Sequence, residues 1–135
     1  MPLLGNIADL QSDRTLSVDG IPIDLGAGRR VWVKRAGGHN REWSLGRAEV
    51  AETLAGHDDL DPAERTFRLN SQVAAERLIS KWEGFEDPAG NPVDYSVEAG
   101  LELLSEAPDI LDEILATAMN RAAYALEADA GKSES

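Results

Sequence analysis

Residues 15–34, TLSVDGIPIDLGAGRRVWVK, decide the fold class, because they put β structure into a chain that otherwise reads as helical. Leu16 and Val18 alternate with Thr15 and Ser17, the period of a half-buried strand. Asp19-Gly20 then reads as a two-residue hairpin turn, since glycine accepts the positive φ such a turn needs. Ile21, Ile23 and Leu25 alternate on the return strand. Pro22 has no N–H to give to a ladder, which confines that strand to a sheet edge or Pro22 to the strand's first residues. Gly26-Ala27-Gly28 makes a second turn, and residues 30–34 form a third strand with Val31 and Val33 on one face and Trp32 on the other. Three short strands are too few to stand alone, so helices must cover one side of them.

The rest of the chain supplies those helices. Leu3, Leu4, Ile7 and Leu10 have roughly helical spacing and suit a short helix or an N-terminal arm. Residues 41–55 fit strand or helix: Trp43 and Leu45 could extend the sheet, whereas Ala48, Val50, Ala51 and Leu54 suit a helix ending at Gly56. Asp61-Pro62 is a helix start, an aspartate cap followed by proline where a missing N–H costs nothing. The spacing of Phe67, Ala74, Leu78 and Trp82 predicts that this helix runs to about Trp82, with Gly84 ending it. Residues 85–95 carry a Pro/Gly/Asn cluster and read as a tight hairpin between Phe85 and Tyr95. Ser96 caps the next helix, Glu98 suits its positive end, and Leu101, Leu103 and Leu104 give its buried side. Pro108 breaks that helix, and the pattern from Ile110 to Leu126 predicts a last helix over residues 109–129. The expected architecture is α+β, with a short N-terminal antiparallel β-meander packed by three to four C-terminal helices. One domain spans residues 1–130, with residues 1–14 as a candidate arm and 131–135 as a polar, disordered tail.

The chain has 135 residues, of which 42% are hydrophobic and only 5% aromatic, so its core must be mostly Leu, Ile, Val and Ala. The net charge is −12, which argues against free nucleic acid as a ligand, because neutralising phosphates needs surplus Lys and Arg. The charge is uneven. From Glu86 onward there are 12 acids against Arg121 and Lys132, whereas residues 29–47 hold six bases against Glu42 alone. Such a dipole serves solubility; it also suits steering toward a basic partner, or head-to-tail homo-oligomers. There is no cysteine, which excludes disulfides and thiolate chemistry. No apolar run approaches the ~20 residues of a membrane span, and the first residues lack the pattern of a signal peptide, so a soluble protein is expected.

Candidate chemistry is sparse. His39 and His57 are the two histidines, and His57-Asp58-Asp59 lacks the spacing by which three or four ligands converge on zinc. Gly26-x-Gly28 and Gly37-Gly38 lack the Gly-Lys-Ser/Thr ending of a phosphate loop. Glu98 with Glu102 and Asp109 with Glu113 stand one helical turn apart, the spacing of a solvated face. No catalytic, cofactor or metal residue is therefore assigned, and no enzyme is expected. Trp32 and Trp43 lie in or beside the basic stretch. They suit either a place under the Arg side chains or exposed anchors; in the second reading they form, with Arg35 and Arg47, the candidate partner-binding surface, since Trp and Arg concentrate binding energy at interfaces.

The segment from Trp82 to Asn120, WEGFEDPAGNPVDYSVEAGLELLSEAPDILDEILATAMN, carries a resemblance. Its Trp82-Glu83-Gly84, Gly90-Asn91-Pro92-Val93, Tyr95-Ser96 and Pro108-Asp109-Ile110 resemble the tail assembly chaperones of long-tailed phages. The Val18-Asp19-Gly20 start and the Gly37-Gly38-x-Asn40 loop look similar to the same group. The resemblance implies a non-catalytic protein of the host cytoplasm that binds the tape measure protein, keeps it soluble and helps tail tube protein polymerise around it. Its alternative is a minor tail or head–tail joining component of the virion.

Overall fold

The computed structural model describes residues 3–5, 7, 11, 13–55 and 61–124. The candidate tail 131–135, Leu10, Leu126, His57, Asp58 and Asp59 lie outside the described residues, as does half of the candidate arm.

A three-stranded antiparallel sheet and several helices give the expected α+β class, but the first strand of the expected meander is a helix. α1 (Arg14–Asp19) starts at Asp13, whose Oδ1 accepts from Leu16 N at 2.9 Å. Ser17 Oγ donates to Asp13 O at 2.7 Å, and Ser17 is fully buried. These bonds satisfy the short helix locally, which alternation of Leu16 and Val18 does not reveal. Gly20, at φ +95°, returns its N–H to Leu16 O at 3.0 Å. Asp19-Gly20 is thus a helix stop rather than a hairpin turn.

β1 (Ile21–Gly26) and β2 (Arg29–Val33) form the hairpin that the sequence predicts, joined at Ala27-Gly28, both at positive φ. Pairing runs from Ile21 opposite Val33 to Gly26 opposite Arg29. Pro22 lies on the edge strand, where its missing N–H is harmless. The third strand comes from further along the chain. β3 (Ile79–Glu83) pairs antiparallel with β2, placing Trp82 opposite Val31 and Lys81 opposite Trp32.

The expected long helix therefore ends early. α2 (Glu42–Leu54) precedes it, resolving residues 41–55 as helix. α3 (Pro62–Val73) begins as read, with Asp61 Oδ1 accepting from Glu64 N at 2.8 Å. It widens into a π-helical turn (Ala74–Leu78) and passes straight into β3. Helical spacing continues through Trp82, but β2 has an open edge that only a strand can pair, and tertiary pairing wins.

The π turn is the hub of the core, packing against α2, β3, α4 (Val97–Glu106) and α5 (Pro108–Ala118). Val31, Val33, Val73, Ala74, Leu78, Leu104 and Ile114 are all fully buried there. Arg77 clamps α2 onto it: its guanidinium reaches Glu42 at 3.4 Å and Glu49 at 3.3 Å. The clamp lies across Gly46, where any Cβ would come within 2.6 Å of Arg77 Cγ. Asn40, nearly buried, donates from Nδ2 to Arg35 O at 2.9 Å and to Arg77 O at 3.0 Å, tying the loop after β2 to the π turn. Asn40→Ala should cost about 1–3 kcal/mol by leaving both carbonyls short of a donor. Urea denaturation measures it, and a loss below about 0.5 kcal/mol would show the latch to be idle.

The 85–95 link folds as a hairpin-like loop, with Val93 N–H bonded to Phe85 O at 2.9 Å. Asp87 organises its tip by accepting from Asn91 N and Ala89 N, each at 2.9 Å. Those bonds, chiefly that of Asn91, hold the carboxyl below its ordinary pKa. Trp82 stacks on Phe85 with centroids 4.1 Å apart and meets Tyr95 edge-on at 5.0 Å. Trp82 Nε1 donates to Val93 O at 2.8 Å, and Tyr95 Oη donates to Ala75 O in the π turn. Ser96 Oγ caps α4 by accepting from Ala99 N at 3.1 Å, as expected.

α5 also stops before the sequence predicts. Its last carbonyl, Ala118 O, accepts from Ala36 N at 2.9 Å, and a 3-10 turn (Arg121–Tyr124) follows. This bend turns Tyr124 into the core, where its hydroxyl donates to Val33 O at 2.8 Å. Asp13 N then donates to Tyr124 O at 2.6 Å, joining the two ends of the described fold.

Burial raises the pKa of both tyrosines. Tyr124 is pushed up to about 12 despite the opposing charge of Arg35. Tyr95 is raised further, with Glu76 adding to burial. The folded state therefore keeps protons that unfolded phenols release near pH 10. Their stabilisation is complete below pH 10 and falls as pH rises toward the folded values, by up to about 1.4 kcal/mol per pH unit for each tyrosine. Tyrosinate absorbance should appear together with alkaline unfolding. Two tyrosines titrating near pH 10 in a folded protein would contradict the burial.

Candidate interaction groove

α2, α3 and α4 converge without closing, and leave a groove of about 700 Å³ open to solvent along one side of α3. Its floor is apolar: Val50 from α2, half-buried Phe67 from α3 and Leu101 from α4. Its rim is charged. Glu64 holds Arg68 at 3.0 Å, one turn further along α3. Gln72 donates to Glu76 beyond them. With Arg68 engaged by Glu64, the carboxylate of Glu76 leaves the lining with a net negative charge.

Ser71 lies in this lining, 94% buried by its 6% exposure, and its Oγ has no hydrogen-bond partner among the described residues. A helical serine ordinarily bonds back to a carbonyl of the preceding turn. An unpaired buried hydroxyl costs about 1–3 kcal/mol, so Ser71 is a local cost to the fold at the groove wall. The sequence carried a faint signal. Phe67, Ala74 and Leu78 share a face of the helix, and Ser71 is the polar residue interrupting it at the fourth position after Phe67.

The residues singled out from sequence are not gathered into one exposed surface. Trp43 is 7% exposed and belongs to the core, so it offers no anchor to a partner. Trp32 is half-buried on the other face of the sheet from Val31 and Val33, with Lys81 Nζ 4.4 Å from its ring centroid. Arg35 is half-buried, its guanidinium alongside Gly38 and its charge felt by Tyr124. Arg47 is on α2, but its side chain lies outside the described residues. His39 is exposed on the loop after β2. Gly26 and Gly28 serve the β1–β2 turn, and Glu98, Glu102, Asp109 and Glu113 are all exposed on helix surfaces. Among the described residues no three His, Cys, Asp or Glu side chains cluster as metal ligands, and no helix is long and apolar enough to cross a membrane.

A second, smaller hollow of about 300 Å³ adjoins the aromatic cluster, between Trp82, Phe85 and Leu103, with Glu86, Glu102 and Glu106 at its edge.

Comparison with known families gives a match to the YdaY prophage protein family over residues 39–133. The match takes in α2, α3, the π turn, β3, α4 and α5, and with them every residue named in the groove. It begins after the β1–β2 hairpin. No curated protein matches the chain, and no solved structure matches it. With more than half of its length matched, this chain belongs to the YdaY prophage protein family.

Proposed function

We propose that this prophage protein is a tail assembly chaperone, a non-catalytic protein that acts in the host cytoplasm by holding the tape measure protein during tail morphogenesis. The family match supports a role in the biology of a phage. The groove between α2, α3 and α4 supports a helix-binding role, because a half-closed trough with an apolar floor suits the apolar face of an amphipathic helix. The net charge of −12 supports a carrier that keeps an aggregation-prone partner dispersed. The observation that carries the reading is that the segment shared with a prophage family is the same segment that builds the groove.

Tail tube protein is a second proposed partner, through polymerisation around the carried tape measure protein. Quantitative mass spectrometry of purified particles and of the lysate that produced them tests the reading. A chaperone is abundant in the lysate and absent from finished particles. Stoichiometric copies in washed particles would instead make the protein a minor tail or head–tail joining component.

A further inference from the structure

We infer that the α2–α3–α4 groove is the docking site for a cationic amphipathic helix, whose apolar residues lie on Phe67, Val50 and Leu101 and whose Lys or Arg meets the carboxylate of Glu76. The inference rests on the proposed function for where such a helix comes from, but its chemistry is read from the groove itself.

Three observations select this occupant. The floor has three apolar side chains from three different elements, spaced to receive one or two bulky residues rather than a flat sheet. A volume of about 700 Å³ takes the side chains of a helical turn or two. The rim then sets the sign of the partner's charge. Glu64 already satisfies Arg68, and Glu76 adds a carboxylate that a Lys or Arg can meet. A second copy of this chain, whose residues 29–47 are basic, is the competing occupant that light scattering tests.

The test uses the full chain and a fluorescently labelled 18-residue helical peptide of Leu and Lys, with leucines on one face. A second peptide replaces every Lys by Glu and keeps the apolar face. Fluorescence anisotropy in low and physiological salt follows binding. Three variants are compared with the unaltered protein, each first checked for folding by circular dichroism. Phe67→Arg places a cation on the floor. Glu64→Lys reverses charge at the exposed rim and keeps the test valid where Phe67→Arg does not fold. Asp112→Lys makes the same charge change on the exposed surface of α5, away from the groove.

The expected result is binding of the Lys peptide and none of the Glu peptide. Phe67→Arg and Glu64→Lys should each weaken binding at least tenfold, while Asp112→Lys changes it less than twofold. Equal weakening by all three variants would overturn the inference, because it would reduce binding to attraction by net charge. So would failure of the unaltered protein to bind the Lys peptide, or light scattering showing a dimer that Phe67→Arg dissolves. Repeating the variants with the natural tape measure protein separates the two claims. Capture that survives both groove variants overturns this site and leaves the chaperone reading standing, whereas loss of capture in both supports the site.

Discussion

Leu78→Ala should destabilise the protein by about 4 kcal/mol, within the range for emptying a buried leucine site. Leu78 is fully buried and is the last residue of the π turn. Its backbone carbonyl accepts from Lys34 N at 2.6 Å, which fixes the turn against the end of β2. α2, α4, α5 and β3 all pack on the same turn, so no single element can move to fill the space that the variant opens. The lost transfer energy and the cavity therefore add, rather than being relieved by collapse. For a domain of this size the melting temperature should fall by roughly 10–15 °C. Differential scanning calorimetry measures this directly. A fall of less than about 4 °C would mean that the π turn is not the centre of the core.

Gly84→Ala should be comparably damaging, for a different reason. Gly84 stands at φ +85°, where an L side chain is strained. A Cβ there would lie 2.2 Å from Gly28 O, 2.7 Å from Gly28 C and 2.8 Å from Arg29 Cα. All three are backbone atoms of the β1–β2 turn, so no side chain can swing aside. Either the turn shifts away from the end of β3 or Gly84 leaves its conformation. Strain and overpacking together should cost on the order of 3–5 kcal/mol. The variant should also raise hydrogen exchange selectively in β1 and the turn. Unchanged exchange there, with normal stability, would contradict the close approach of Gly84 to Gly28.

Those two positions show which parts of the fold can be read from sequence. Asp61-Pro62, Ser96 and Pro108 each act within a few residues of themselves, and all three mark helix starts where the sequence predicts them. The β1–β2 hairpin is equally local, and Pro22 is on the edge strand as its chemistry requires. Errors arose where a distant partner decides. Residues 79–83 keep a helical rhythm, yet become a strand because β2 offers them an edge. The helix after Pro108 keeps its rhythm past Ala118, yet ends there because Ala36 takes the carbonyl of Ala118 and Val33 takes the hydroxyl of Tyr124. α1 was missed for the opposite reason. Asp13 caps the helix and Ser17 bonds back to the Asp13 carbonyl, but the alternation of Leu16 and Val18 masks them.

The candidate site was less legible than the fold. Tryptophan and arginine in a basic stretch suggested a surface, but burial is a property of the assembled core, and Trp43 is part of that core. The groove depends on the angle at which three helices meet, which no local pattern encodes. The sequence reads Gly84 as a helix terminator, a role that names the right conformation for the wrong element. Its true constraint is the backbone of Gly28, 56 positions earlier in the chain.

In the proposed function this protein lends a surface to another phage polypeptide. Co-expression of the full chain with the tape measure protein of the same prophage, tagged on the latter, tests that claim most directly through the soluble yield and the composition of the eluate. The tape measure protein should become soluble only with this chain present, and the two should elute together in fixed proportion. A tape measure protein equally soluble without the chain, and eluting free of it, would contradict the account.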